Sequence, residues 1–146
     1  MSVQSSVNFV VETALLGQGL VSVSNSQIEE LWPDGALVTW LQKGRVVVGS
    51  IDEFLYYKDQ IKSWRRLDGL KLYEGMKEGV DGFLTASAAM KVARDLGYPV
   101  AVSAGIGGIG DIIEERLSYD LPALAEIEIT LIATSPKDML DIPGTI

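Results

Sequence analysis

The sequence predicts an α/β fold, a mixed β-sheet with helices on its faces. Three observations lead there. β-branched apolar runs alternate along the chain with segments of helical period. Two of those runs flank the dipeptide Lys43-Gly44, which reads as the tight turn of a hairpin. At 146 residues, with 47% hydrophobic and 22% charged residues, the chain has the apolar material for the core of one domain.

Each element carries its own signal. Asn8–Leu16 is apolar on both sides of a single acid, as expected of a strand buried on both faces. Gly17 and Gly19 end it. A short helix begins around Ser24–Glu30, where Ser26 and Glu29 have capping-box spacing, and Pro33-Asp34-Gly35 stops it. Strands follow at Ala36–Gln42 and Arg45–Val48. Ser50 opens a helix to about Gln60, with Asp52 and Glu53 at its positive end. Leu70–Gly79 and Thr85–Leu96 read as two further helices, the second closed by Gly97 and Pro99. Val100–Ile106 is a buried strand running into a Gly-rich loop. Leu121–Ile127 reads as a helical turn or two and Glu128–Thr134 as a strand. Ser135-Pro136 opens a final helix, with Pro136 at the first helical position. No internal repeat, linker or low-complexity segment interrupts this order.

Composition narrows the function. With no Cys and no His, disulfides, thiolate nucleophiles and imidazole bases are excluded, so acid–base chemistry falls to carboxylates, Lys or Tyr. A net charge of -8, with no basic stretch longer than Trp64-Arg65-Arg66, argues against nucleic acid as a partner. The N-terminus lacks a basic signal-type region. The apolar runs fall short of the roughly 20 residues that a membrane span needs. The cytoplasm is the default expectation, with no membrane partner.

Ligand sites of α/β sheets collect at the carboxyl ends of strands, and three such ends carry polar or Gly-rich sequence. Glu12 lies inside an apolar run; the bland alternative is an exposed residue on an edge. Gly105-Ile106-Gly107-Gly108-Ile109-Gly110 lacks the spacing of a dinucleotide fingerprint and alone reads as a tight turn. Lys137 sits in the first turn of a helix, where it is either simply solvated or, since that end is positive, deprotonated more readily than usual and suited to nucleophilic attack.

Six segments resemble the pseudouridine-5'-phosphate glycosidase family, also called indigoidine synthase A-like. They are Val10–Leu20, Gly35–Gly49, Ile61–Arg66, Ser103–Ile109, Leu117–Leu121 and Pro136–Asp141, in the family's order and rough spacing over nearly the whole chain. The resemblance implies cleavage or formation of the C–C bond between uracil and ribose 5-phosphate. It implies Lys137 as the nucleophile that opens the sugar as an imine-type adduct, and Glu12 as the proton shuttle. Lys62, Thr85, Ala86, Gly107, Gly108, Ser118, Tyr119 and Asp120 match its sugar-phosphate contacts.

The chain departs from the family in three ways. Arg116 stands where the family's manganese ligand is an Asp, with Asp111, Glu114 and Glu115 nearby, so no metal ligand is assigned. Two loop histidines are absent, near Gln18 and Gly110. The chain spans residues 1–146 as a single domain that lacks the family's C-terminal half. The alternative to an enzyme is therefore a non-catalytic relative that binds a sugar phosphate or nucleotide, or a subunit of a larger complex. A homo-oligomer or partner subunit is expected, with Trp32, Trp40, Trp64 and Tyr98 as interface anchors.

Overall fold

The computed structural model describes residues 9–20, 22–106 and 119–134. Its sheet has seven strands, β1 (Phe9–Val11), β2 (Leu37–Gln42), β3 (Arg45–Gly49), β4 (Arg65–Leu67), β5 (Gly82–Leu84), β6 (Val100–Ser103) and β7 (Thr130–Ala133). The β2–β3 hairpin is the hinge of the architecture. Lys43 and Gly44 both adopt positive φ, 47° and 76°, the backbone that a two-residue hairpin turn demands.

Register shows how the other strands use β2. Val38 pairs with both Gly49 and Val11, and Trp40 with both Val47 and Phe83. A strand has only two edges, so β3 occupies one and β1 and β5 share the other, one after the other. β1 runs parallel to β2 and β5 antiparallel to it. The two therefore meet carboxyl end to carboxyl end. β6 and β7 extend β1 in parallel, and β4 extends β5 in parallel. The result is two parallel half-sheets, β1-β6-β7 and β5-β4, whose carboxyl ends face each other across a seam bridged by the hairpin.

Helices cover both faces. α1 (Asn25–Leu31) and α2 (Ile51–Gln60) supply Ile28, Ile51, Phe54 and Leu55 to a cluster with Val38, Trp40 and Phe83. Each of these helices starts with a complete capping box, Ser24 with Gln27 and Ser50 with Glu53. Phe54 lies at the centre of an aromatic group, with its ring 5.5 Å from Trp40, 6.2 Å from Trp64 and 6.0 Å from Phe83. On the other face lie α3 (Leu72–Glu78), α4 (Ala86–Leu96) and α5 (Asp120–Glu126). α4 spans the seam: Met90 and Ala93 pack with Val10 and Ala101 of one half-sheet, Ala88 and Val92 with Leu67 and Leu84 of the other. Its Ala-rich buried stripe lets the helix lie close to both. Gly79 and Gly97, at φ 71° and 82°, close α3 and α4 in the left-handed conformation.

The expected α/β class and the hairpin hold, and several boundaries move. β1 is three residues long rather than running to Leu16, because its neighbour's edge passes to β5 at that point; a π-helical turn follows at Leu15–Gly19. The first capping box uses Ser24 and Gln27, not Ser26 and Glu29. β6 stops at Ser103, where the side chain bonds back to Gly105, rather than at Ile106. α3 begins at Leu72 rather than Leu70, and β7 at Thr130 rather than Glu128. β4 and β5 carried no strand signal: each has three residues, and two of β4's are arginines. Trp40, expected as an interface anchor, is 2% exposed and belongs to the core. Trp64 stacks on Phe83 at 4.3 Å, and Trp32 donates its indole N–H to the Ala36 carbonyl. The final helix expected from Ser135 lies outside the described residues.

Candidate active site

The seam gathers the carboxyl ends of β1, β4, β5, β6 and β7. Thr13 occupies the gap between the carboxyl ends of β1 and β5. Its backbone N–H donates to the Leu84 carbonyl at 3.1 Å, its Oγ1 donates to the Thr39 carbonyl at 2.8 Å and accepts from the Leu84 N–H at 3.0 Å. A side chain thus stands in for the ladder that the two strand ends leave open. Such a change of strand direction is where open α/β sheets place their ligands.

Glu12 precedes this pin and is 6% exposed, just past the carboxyl end of the interior strand β1, so the exposed-edge reading is overturned. Its N–H donates to the Val102 carbonyl, and Ser103 Oγ lies 2.6 Å from Glu12 Oε1. Ser103 is itself fully buried. Beside it, the Thr134 N–H donates to the Ser103 carbonyl and Thr134 Oγ1 to the Ala104 carbonyl, so the exit of β7 is tied to the exit of β6.

Across the seam, Thr85 caps α4 and is buried with Ala86 and Asp120. Asp120 Oδ1 accepts from Thr85 Oγ1 at 2.8 Å and from the Ser87 N–H at 2.8 Å. A carboxylate against the first turn of α4 is favoured by the exposed N–H groups and the positive end of the helix. Ser87 Oγ in turn accepts from the Gly69 N–H, and Lys91 Nζ donates to the Gly69 carbonyl while lying 5.1 Å from the Tyr73 ring centroid and 5.5 Å from that of Tyr119. The loop after β4 is therefore tied to α4 by both sides of one glycine. A Cβ at Gly69 would crowd the Tyr119 ring, which explains the residue type. The Tyr119 hydroxyl donates to Glu126 at 2.7 Å; that bond, then burial, raises its pKa above the usual 10.0.

Of the residues expected at the site, the structure brings Glu12, Thr85, Ala86, Tyr119 and Asp120 to the seam or the network beside it. Lys62 is exposed in the loop before β4, on the amino side of that strand, and joins no hydrogen bond of this network. Lys137, Gly107, Gly108, Ser118 and Arg116, with Asp111, Glu114 and Glu115, lie outside the described residues. Sequence reasoning missed Thr13, Ser87, Lys91 and Ser103. Each is a polar residue set in an apolar run, the same signal that singled out Glu12. Among the described residues no three carboxylates come together as a metal site.

A family model described as indigoidine synthase A like protein matches residues 35–146. The chain belongs to that family. Proteins named pseudouridine-5'-phosphate glycosidase are similar to it: one from Methylobacterium nodulans is 31% identical over 105 residues, 70% of this chain and 31% of that protein. Another, from Gemmatimonas aurantiaca, is 27% identical over 143 residues, 93% of this chain and 47% of its own length. The chain spans about half the length, or less, of the curated relatives it matches. Two solved structures share the fold. An indigoidine synthase A-like protein from Thermotoga maritima superposes with a TM-score of 0.76 at 21% identity, over 94% of this chain and 49% of that one. A prealnumycin C-glycosynthase in complex with ribulose 5-phosphate gives 0.74 at 24% identity, over 94% and 47%. The resemblance read from the six segments is thus confirmed at the level of family and fold.

Proposed function

We propose that this indigoidine synthase A-like chain carries the sugar-phosphate chemistry of a glycosidase or lyase acting on a ribosyl-phosphate C-glycoside such as pseudouridine 5'-phosphate. The observation that carries the reading is the buried Glu12, held by Ser103 at the seam where five strands end. A carboxyl group kept from water at a strand terminus is suited to hold a proton and release it to a departing base. The second requirement is a nucleophile. The described chain leaves β7 at Thr134, and in the sequence Lys137 follows three residues later. In this reading the Lys137 amine attacks the anomeric carbon as its bond to the ring oxygen breaks, the ring oxygen taking up the proton that the amine loses; the C–C bond to the base then breaks to leave an imine-type adduct, and Glu12 passes a proton to the base carbon. Thr85 and Asp120 are already bonded to each other, so they shape the site through α4 and the loop after β4.

The names of the relatives and the sugar phosphate of the C-glycosynthase complex support this substrate class. The −8 net charge supports a small-molecule ligand rather than nucleic acid. Among the described residues no helix is long and apolar enough to cross a membrane; a cytoplasmic setting is part of the same proposal, as is a single domain over residues 1–146. Assembly with a second copy or with a partner chain is proposed from exposed Leu31, Leu70 and Ile132.

Borohydride trapping with ribose 5-phosphate, read by intact mass, tests the chemistry. The expected product is one sugar phosphate per chain, less one water and plus two hydrogens, absent from Lys137→Ala. A wild-type protein that forms no adduct while still binding the sugar phosphate supports the non-catalytic binding relative instead.

A further inference from the structure

The Ser103 hydroxyl has two acceptors within reach and a single proton. Its Oγ lies 2.6 Å from Glu12 Oε1 and 2.9 Å from the Gly105 carbonyl oxygen, and it accepts from the Gly105 N–H at 3.3 Å. A hydroxyl offers one donor and two lone pairs, so only one of those acceptors is served at a time. With Glu12 ionised, the proton points at Oε1 and Gly105 N–H fills a lone pair. With Glu12 protonated on Oε1, the carboxyl donates to Ser103 Oγ, and the Ser103 proton turns to the Gly105 carbonyl. In both states the Glu12 carboxyl and the Ser103 hydroxyl stay bonded to each other and the Gly105 N–H keeps its acceptor, while the Gly105 carbonyl receives the Ser103 proton only when Glu12 is protonated; no heavy atom moves. In a fully buried position this matters, because an orphaned donor or acceptor there is costly.

We propose that Ser103 is a positioning residue that holds Glu12 in one place through both of its protonation states, by turning one hydroxyl between the Glu12 carboxyl and the Gly105 carbonyl. The proposal rests on the reading of Glu12 as the proton shuttle and adds what that role needs. A group that gains and loses a proton each cycle must not swing away when its hydrogen-bonding character reverses. Val, the usual residue of a buried strand, would hold neither form. Thr would hold both, since it keeps the hydroxyl.

The test compares Ser103→Ala, Ser103→Thr and the wild type, with Ser103→Cys as a weak donor of similar size in case the Ala variant does not fold. The first readout is the infrared carboxyl band of Glu12 in protein labelled with 13C-glutamate, assigned as the band lost in Glu12→Gln. Ser103→Ala, or Ser103→Cys in its place, is expected to shift that band, and Ser103→Thr to leave it in place. The second readout is turnover of pseudouridine 5'-phosphate: kcat falls by about ten- to a hundred-fold in Ser103→Ala, the scale of losing one hydrogen bond to a charged group, with KM nearly unchanged and Thr restoring the rate. An unmoved band in Ser103→Ala and Ser103→Cys, or an equal shift in Ser103→Thr, overturns the proposal. If no variant and no wild type turns over substrate, the proposed activity fails, while the infrared comparison still decides whether Ser103 holds Glu12.

Discussion

Replacing Thr13 by Val tests whether the two half-sheets are joined by a side chain. The substitution keeps volume and β-branching and removes only the hydroxyl, which is fully buried between the Thr39 carbonyl and the Leu84 N–H. An orphaned buried donor costs about 1–3 kcal/mol, and the acceptor it shared the hydroxyl with loses a partner as well, so the total comes to about 2–4 kcal/mol. Against a typical stability of about 5–15 kcal/mol that is a large fraction. In urea, with a slope of about 2 kcal/mol per molar, the midpoint falls by about 1–2 M at unchanged slope. Thr13→Ser is the control: it keeps the hydroxyl, loses one methyl group and costs about 1 kcal/mol. If Val proves no more costly than Ser, the hydroxyl does not hold the seam and the account of the sheet is wrong.

Two further outcomes follow from the structure. The hydroxyls of Tyr57, Tyr73 and Tyr119 are all raised above 10.0, Tyr57 by burial and then its bond to Asp81, Tyr73 by its bond to Asp95 and then burial, Tyr119 by its bond to Glu126 and then burial. A raised folded value means stability that is fully present below pH 10 and is lost as pH rises through the folded values; tyrosinate absorbance in native protein should therefore rise later than in urea, and coincident curves would contradict the three bonds. For assembly, light scattering at dilute concentration should report a species larger than one chain, and a stable monomer would count against the proposed association.

The sequence carried the chemistry-bearing strand ends more clearly than the architecture that joins them. Glu12 stood out as the one acid in VNFVVETALLG, which the sequence alone leaves as either a site residue or an exposed residue on an edge. Ser103 in VAVSAG was the same kind of signal and passed unremarked, since Ser is less costly to bury than Glu. The hairpin was legible from Lys43-Gly44, whereas β4 and β5 were not. A three-residue strand has too few positions to show alternation, and Gly82 gives no side chain to read. The end-to-end meeting of β1 and β5 was not legible either. It depends on which residues of β2 each strand pairs with, and that register is settled by packing between distant parts of the chain. Trp40 was misassigned to an interface because aromatic residues suit both a core and a docking surface, and only the neighbouring Phe54 and Phe83 decide between them.

The most direct measurement of the central claim is uracil release from pseudouridine 5'-phosphate by the wild type, Glu12→Gln and Lys137→Ala, with covalent adduct followed by intact mass in the same samples. The account predicts release by the wild type, little release with accumulated adduct in Glu12→Gln, and neither release nor adduct in Lys137→Ala. Release by Glu12→Gln at the wild-type rate would contradict it, because the buried carboxyl at the seam would then carry no proton for the reaction.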